Sequence, residues 1–179
     1  MPDYPYPIRL RGPWECEPVA RWIGGADGST VYETDHLPPA GRVRVPGEWS
    51  EALGPGFRGR VRFRRRFHAP TGLEAHERLM LVIEGIDPSG DVQLNGRHLG
   101  RVESMEETKT FDVTGLVAAN NELVIEVEFT GHDADPVLGR TPDHPTRVGG
   151  SGDQPTTGGD QPTTGGRLGE VRLEIVAPS

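Results

Sequence analysis

Hydrophobic and polar residues alternate with a period of two in three separate stretches of the chain. In RVRFRRRF, the residues Val61, Phe63 and Phe67 fall on one side, and Arg60, Arg62, Arg64 and Arg66 fall on the other. The stretches NELVIEVEF and EVRLEI repeat the pattern, and their apolar sides consist of Leu123, Ile125, Val127, Phe129, Val171, Leu173 and Ile175. Such alternation is typical of β-strands with one face in a core and the other in water.

Further segments extend the β pattern. RLMLVIEG, residues 78–85, is a nearly continuous apolar run, which favours a central strand covered on both faces. Asn95-Gly96, inside DVQLNGRHLGRV, predicts a hairpin, because both residues can adopt the positive φ angles of a two-residue turn. We predict shorter strands at residues 8–11, 14–17, 42–45 and 109–113, and one turn at residues 114–118. No segment has a clear helical period, so the pattern predicts an all-β, antiparallel β-sandwich.

The amino-acid composition is typical of a chain with many turns between strands, and the net charge excludes some classes of binding partner. The 179 residues include 25 glycines and 17 prolines, and the net charge of −8 argues against binding to nucleic acid or to an anionic membrane. Cys16 is the only cysteine, so no intrachain disulfide can form. The chain has no apolar run of about 18 residues, and its first residues lack the apolar core of a signal peptide. We therefore expect a cytoplasmic protein.

A seven-residue unit is repeated in GDQPTTGGDQPTTGG, which ends at Gly166. A single predicted strand follows it, and one strand must bury its apolar face against a core formed elsewhere in the chain. We therefore predict one domain, residues 1–179, in which residues 131–166 form a long loop before the last strand. Lengthening such a loop costs only about 0.6 kcal/mol for each doubling.

The outward side of RVRFRRRF carries a row of charges formed by Arg60, Arg62, Arg64 and Arg66. This row suggests either a site for polyanions or ion pairs with glutamates on neighbouring strands. We expect the ion pairs, since cross-strand pairs contribute about 0.2–1 kcal/mol each. The predicted partners are Glu122, Glu126, Glu128, Glu170 and Glu174.

Six motifs occur between Val45 and Ile175 in the order VPGEW, GRVRFRRRFHAP, LVIEGIDPSGDVQLNGRHLG, FDVTGLV, NELVIEV and GGRLGEVRLEI. In order and spacing they resemble the sugar-binding domain of family 2 glycoside hydrolases, and the resemblance covers about residues 8–176. β-Galactosidases, β-glucuronidases and β-mannosidases carry this domain at their N terminus. The resemblance implies a jelly-roll sandwich of the galactose-binding-domain-like type.

The resemblance also implies where the chain departs from those enzymes. In the enzymes an immunoglobulin-like domain and a β/α barrel follow, and the barrel carries the two catalytic glutamates. A barrel takes about 250 residues, and the sequence given ends at Ser179, so we expect a domain without a barrel. Leu168, with Arg167 beside it, stands where the family usually has an aromatic residue.

Carboxylates suitable for catalysis are numerous, but no pair stands out. Retaining glycosidases need two carboxyl groups about 5–5.5 Å apart. The acidic residues of VESMEET and GHDADP are expected to be solvated instead; they are Glu103, Glu106, Glu107, Asp133 and Asp135. His132 beside the two aspartates lacks a recognisable metal-binding spacing. We therefore predict no catalytic residue, no metal site and no cofactor.

Two segments contain candidate sugar-binding residues. The resemblance implies that the long loop before the last strand reaches towards the sugar, and that loop here contains Asp133, Asp135, Arg140, Asp143 and His144. Carboxylate and guanidinium groups suit sugar recognition, although a plain solvated loop is the alternative. Trp22, before a Gly-rich stretch, is the candidate for stacking on a sugar, whereas Trp49 lies in a scaffold motif and is expected in the core.

Three functions remain open at this point. The first is a non-catalytic carbohydrate-binding or accessory protein, with a carbohydrate as its ligand. The second is a detached subunit or interaction module whose partner is the catalytic subunit of a separately encoded glycosidase. The third, glycoside hydrolysis by this chain alone, has the least support, because nothing in the sequence singles out a catalytic pair.

Overall fold

The structure of the protein is a computed structural model, and it describes residues 7–24, 30–129 and 166–177. These residues form β-strands and one short helix, α1 (Ser50–Leu53). The strands are β1 (Ile8–Arg9), β2 (Trp14–Gly24), β3 (Thr30–Glu33), β4 (Gly41–Val43), β5 (Gly47–Glu48), β6 (Gly59–His68), β7 (Arg78–Glu84), β8 (Ile86–Asp87), β9 (Gly90–Leu94), β10 (Arg97–Val102), β11 (Thr108–Asp112), β12 (Asn120–Phe129), β13 (Arg167–Leu168) and β14 (Val171–Val176).

Two sheets enclose the core. The larger has the strand order β10-β9-β12-β6-β2-β3, with β4 also paired to β2, and the smaller has the order β1-β14-β7-β11. A third, short sheet joins β5, β13 and β8. Every strand pair in the described residues is antiparallel. The predicted antiparallel β-sandwich is confirmed.

The core is formed by the residues that the period-two pattern places on the inner faces. β6 and β12 pair so that Val61 faces Val127 and Phe63 faces Ile125, and all four side chains are fully buried. Apolar residues of β7 and β14 in the smaller sheet belong to the same core cluster. Burial of each large apolar side chain stabilises the fold by about 1.5–3 kcal/mol.

The strand that follows the repeat lies in the smaller sheet. β14 pairs with β7 over six residues and with β1 on its other side. We expected it beside the arginine and glutamate rows of β6 and β12, and the structure places it across the core from them. Residues 130–165 lie outside the described residues, so the predictions of a loop there and of one domain remain predictions.

β2 is much longer than the predicted segment, residues 14–17, and contains a proline. Pro18 lies where β2 has no second neighbour, because β4 pairs with its first residues and β3 with its last four. A register shift between Pro18 and Ala20 interrupts the pairing with β6 at the same point. A proline is tolerated there because it removes no ladder hydrogen bond.

The predicted hairpin and turn are confirmed. Asn95 and Gly96 have φ angles of 52° and 80° between β9 and β10. After β11, the amide of Val117 donates to the carbonyl of Val113, closing one turn. The side chain of Asp112 accepts hydrogen bonds from the amide and hydroxyl of Thr114, so the FDVTGLV motif caps its own turn.

Two further observations concern the chemistry of the chain as a whole. Cys16 is fully buried, and burial raises the pKa of its thiol to about 12, so the thiol stays protonated at neutral pH. None of the helical structure in the described ranges is long and apolar enough to cross a membrane.

Candidate functional site

The outer face of the larger sheet carries a ladder of ion pairs. Arg60 lies 3.0 Å from Glu128, and Arg62 lies 3.2 Å from Glu126. Arg66 lies 3.4 Å from Glu122. The predicted pairing of the arginine row with the glutamates of β12 is therefore confirmed.

Part of the predicted pairing is wrong. Glu170 and Glu174 contact Arg9 and Arg172 instead of the arginine row, because β14 belongs to the opposite sheet. Carboxylates of β2 take their place, and both Glu15 and Glu17 lie within 4 Å of Arg64.

One group of side chains, the loop-end cluster, lies where β12 ends at Phe129, directly before residues 130–165. The Arg58 guanidinium carbon is 5.9 Å from the ring centre of Trp22, and that of Arg60 is 6.0 Å from the ring centre of Tyr32. The cluster consists of Trp22, Tyr32, Arg58, Arg60 and Glu128.

The polar groups of the loop-end cluster are engaged with one another. The Tyr32 hydroxyl donates to Glu128, which lowers the pKa of that carboxyl and raises the pKa of Tyr32. Arg60 also donates to Glu128 and lowers its pKa further. The indole nitrogen of Trp22 is shielded from solvent and has no hydrogen-bond partner among the described residues.

The sequence-predicted ligand residues are only partly located. Asp133, Asp135, Arg140, Asp143 and His144 lie outside the described residues and remain predictions. Trp22 is half-buried, with Arg58 over its ring. The other two tryptophans, Trp14 and Trp49, are 0% and 1% exposed and belong to the core, so Trp22 alone can offer a ring surface to a ligand.

A second candidate, the hairpin-end cavity, lies at the opposite end of β6 and β12 and has a volume of about 570 Å³. The register of these strands places His68 opposite Asn120 at its rim. The residues lining the cavity are Arg66, Phe67, His68, Asn95, Asn120, Asn121 and Glu122.

A hydrogen-bonded network fixes the wall of the hairpin-end cavity. The side-chain amide of Asn95 donates two hydrogen bonds through its Nδ2 atom. One goes to the Leu116 carbonyl over 3.0 Å and the other to the Asn121 side-chain oxygen over 2.9 Å. Asn121, only 3% exposed, also exchanges two 2.8 Å hydrogen bonds with the backbone of Ala118. Because every buried polar atom of this network is satisfied, the wall is rigid.

Other polar groups of the cavity remain available to a ligand. His68 and the side chain of Asn120 are exposed and make no hydrogen bond within the described part of the chain. Arg66 and Glu122, which pair with each other over 3.4 Å, add a guanidinium and a carboxylate at the rim. Phe67 adds an apolar surface. Donors and acceptors around an apolar wall suit the hydroxyls and ring face of a sugar.

Two of the carboxylates considered for catalysis have other partners, and Glu103 lies 3.4 Å from Arg101. Glu107 accepts hydrogen bonds from the amide of Glu103 and from Lys109, over 2.6 and 3.1 Å. These bonds lower the pKa of Glu107, which keeps it ionised and unsuited to donating a proton at neutral pH. Among the described residues, no three His, Cys, Asp or Glu side chains are grouped as metal ligands would be.

Leu168, which stands where the resemblance leads us to expect an aromatic residue, is fully buried. It pairs with Gly47 and with Ile86 in the third sheet. This side chain therefore packs within the protein's own core and offers no surface to another domain.

Several solved glycoside hydrolases contain a region with the same fold. A Bifidobacterium dentium β-glucuronidase complexed with coumarin-3-O-glucuronide superposes with a TM-score of 0.59 at 22% identity, covering 100% of this chain and 31% of that chain. A β-glucuronidase from an uncultured Clostridium superposes with a TM-score of 0.59 at 16% identity, covering 100% of this chain and 30% of that chain. A β-galacturonidase from Eisenbergiella tayi bound to glycerol superposes with a TM-score of 0.54 at 16% identity, covering 96% of this chain and 24% of that chain.

These similarities show the fold, and this chain spans less than a third of the length of each of the three enzymes. No curated protein sequence matches the chain. The profile of the family described as glycosyl hydrolase 2 galactose-binding domain-like matches residues 58–157. Because that match covers more than half of the 179 residues, the chain belongs to the glycosyl hydrolase 2 galactose-binding domain-like family.

Proposed function

We propose that this chain is a non-catalytic carbohydrate-binding or accessory module that holds a saccharide in the hairpin-end cavity. The observation that carries the proposal is the cavity itself, in which exposed amide, imidazole and guanidinium groups surround an apolar wall. Membership of the galactose-binding-like family supports a carbohydrate as the ligand class. The volume of about 570 Å³ lies within the usual range for small-molecule sites, about 300–1,000 Å³.

The hairpin-end cavity is the better of the two candidate sites, because the side chains of His68 and Asn120 in it are free to bind. In the loop-end cluster, Tyr32 and Arg60 both donate to Glu128, and a ligand would have to displace these bonds. His68 and Asn120 have no such bonds to break within the described residues. Trp22 and the five predicted residues between 133 and 144 remain the proposal for an alternative site.

The proposal predicts a loss of sugar affinity when the cavity's free polar groups are removed. The double variant His68→Ala/Asn120→Ala should bind its saccharide about ten-fold more weakly, since each lost hydrogen bond contributes about 0.5–1.5 kcal/mol. The measurement is calorimetric titration of the full-length chain against galactosides, glucuronides and mannosides. Trp22→Ala, at the other end of the sheet, is the matched control and should retain its affinity.

Two outcomes contradict the proposal in different ways. If the wild-type chain binds none of the saccharides, the carbohydrate-binding function is wrong. If Trp22→Ala loses affinity while the double variant retains it, the function stands but the site is the loop-end cluster.

A second candidate function, an accessory subunit of a separately encoded glycosidase, is favoured by an exposed apolar pair. Ile23 and Val31 face each other across β2 and β3, and are 42% and 47% exposed. Tyr32, the next residue of β3, points to the opposite face, where its hydroxyl donates to Glu128. Neighbouring exposed apolar side chains, such as this Ile23–Val31 pair on the β2–β3 hairpin, favour a surface that contacts another protein.

This second candidate predicts binding to a family 2 catalytic polypeptide that depends on the hairpin. The tagged chain should retain such a polypeptide, identified by mass spectrometry, and Ile23→Ser/Val31→Ser should abolish the retention. Ile8→Ser is the control, because Ile8 is similarly exposed (40%) but lies in the other sheet. Equal retention by both variants, or retention of no catalytic polypeptide, contradicts this role.

The proposed location is the cytoplasm. The single cysteine, buried and protonated, is compatible with a reducing compartment.

A further inference from the structure

A small cavity lies beside the first residues of β2, where the larger sheet is incomplete. β6 pairs with β12 along all ten of its residues, but with β2 only up to Arg64. In the described residues, the last four positions of β6 therefore have no neighbour on that side. The cavity there, here called the Pro13 cavity, has a volume of about 220 Å³ and is lined by Pro13, Glu15, Arg42, Arg64, Arg65 and Arg66.

The Pro13 cavity concentrates positive charge on a protein whose net charge is −8. Four of its lining residues are arginines and one is a glutamate. Arg64 and Arg66 lie within 4 Å of carboxylates in the ladder on the outer face. Arg42 and Arg65 have no carboxylate within that distance in the described part of the chain, and the carboxylate nearest to Arg42 in register is that of Glu15 on β2.

Arg65 occupies an unusual position for an arginine. It pairs in register with Leu123, a fully buried residue, so it lies on the core-facing side of β6. Its terminal nitrogen Nη1 donates to the Pro13 carbonyl over 3.0 Å, which holds the guanidinium at the cavity wall. Its Nε is shielded from solvent and makes no hydrogen bond among the described residues. An unsatisfied buried donor is unfavourable, and Nε of Arg64, which lines the same cavity, is likewise shielded and without a hydrogen bond among the described residues.

Positive groups also lie on the other side of Pro13. A second depression of about 380 Å³ is lined by Arg11, Gly12, Pro13 and Arg44. Arg11 lies 4.0 Å from Glu170, whereas Arg44 has no ion pair within the described ranges. Guanidinium groups from three segments of the chain therefore surround one short loop before β2.

We propose that the Pro13 cavity binds an oxyanion, a carboxylate, sulfate or phosphate group, between Arg42 and Arg65. The planar guanidinium presents paired N–H donors that match the oxygens of such groups. The volume is below the range of drug-sized sites, about 300–1,000 Å³, which fits a small anion or the charged substituent of a larger ligand. The lining of the Pro13 cavity does not include His68 or Asn120, so it adds an anion site to the proposed saccharide site.

The test is titration of the full-length chain with sodium sulfate and with sodium phosphate, followed by calorimetry and by NMR amide shifts. Sodium chloride keeps the ionic strength constant, because general screening would otherwise imitate binding. We expect saturable binding that weakens about five-fold or more in Arg42→Gln and in Arg65→Gln, since each variant removes one charge-assisted contact. Arg66 is left unchanged, because it lines both cavities.

The control is Arg97→Gln. Arg97 is exposed and lies on β10, at the opposite edge of the larger sheet, so this variant removes the same charge from a distant position. Its affinity for sulfate should stay within about two-fold of the wild-type value, because distant surface charges are screened. Thermal unfolding of each variant confirms that the chains compared are folded.

Comparison of anions identifies the source of the oxyanion. Tighter binding of glucuronate or of a monosaccharide sulfate than of inorganic sulfate assigns the group to a saccharide, whereas the reverse order assigns a free anion. The proposal is overturned if the wild-type chain shows no saturable binding of any of these anions. It is equally overturned if Arg97→Gln weakens binding as much as Arg42→Gln and Arg65→Gln do.

Discussion

Replacing Trp49 by alanine is expected to lower the free energy of unfolding by about 3–5 kcal/mol. Trp49 is 1% exposed and is the centre of an aromatic group in the core. Its ring stacks on Phe63 at 6.4 Å and meets the edges of Phe57 and Phe129 at 5.9 and 6.1 Å. Truncation removes these contacts and leaves a cavity that the surrounding strands cannot fill.

Trp49 also contacts Gly166, the first described residue after residues 130–165. Its amide donates to the Gly166 carbonyl over 3.2 Å. Gly166 packs so closely on the indole that an added Cβ would lie 2.1 Å from the ring. The loss of Trp49 should therefore loosen the segment that leads into β13 and β14, in addition to the core.

The measurement is equilibrium unfolding in guanidinium chloride followed by far-ultraviolet circular dichroism. Trp22→Ala is the control, because the same side chain is removed from a half-buried position on the outer face. That change should lower stability by about 1 kcal/mol, near the centre of the distribution for single substitutions. Equal destabilisation by the two variants would contradict the role given to Trp49.

The sequence predicts the strands well because alternation reports directly on burial. The inward positions of β6 and β12 follow from spacing alone, and the register confirms them. Alternation does not report which sheet a strand joins, since both sheets present one apolar face to the same core. For that reason the ion-pair partners of Glu170 and Glu174 were predicted wrongly, although their strand was located correctly.

The parts of the fold that sequence reasoning missed have weak local patterns. β3 has only four residues, and Val31 and Tyr32 are exposed on it. Its sequence therefore lacks the alternation of buried apolar and exposed polar residues that marks the other strands. Helix α1 has only four residues, too few for a helical period to develop. The predicted strand at residues 14–17 ended before Pro18, because a proline ordinarily argues against a strand. In the structure β2 continues past Pro18 to Gly24.

The candidate sites depend on contacts between distant residues. The Asn-Gly sequence predicts the backbone conformation of Asn95 in the turn. It does not predict that the side-chain amide of Asn95 contacts Asn121, which is 26 positions away. The hairpin-end cavity follows from that contact and could not be derived from spacing. Likewise, Arg65 falls at an inward position of the alternating pattern, and only the structure shows that its guanidinium reaches the Pro13 carbonyl.

Replacing Gly169 by alanine is expected to destabilise the fold by about 3 kcal/mol or more, at the upper end of the range for overpacking. A Cβ on Gly169 would lie 1.5 Å from the carbonyl oxygen of Glu84 and 2.6 Å from its carbonyl carbon. These are backbone atoms at the end of β7, so no side-chain rotation relieves the clash. The Gly169 amide also donates to the Gly85 carbonyl over 2.9 Å, and moving the chain apart would break this bond.

Because Gly169 lies between β13 and β14, the clash should separate β14 from β7 before it affects the larger sheet. Hydrogen exchange should therefore accelerate first at the amides of β14, together with a lower midpoint of urea unfolding. Gly115→Ala is the matched control, since an added Cβ there has no atom within 4 Å, and it should be neutral or slightly stabilising. Equal midpoints for the two alanine variants would mean that the last strand is not held against β7 at this glycine.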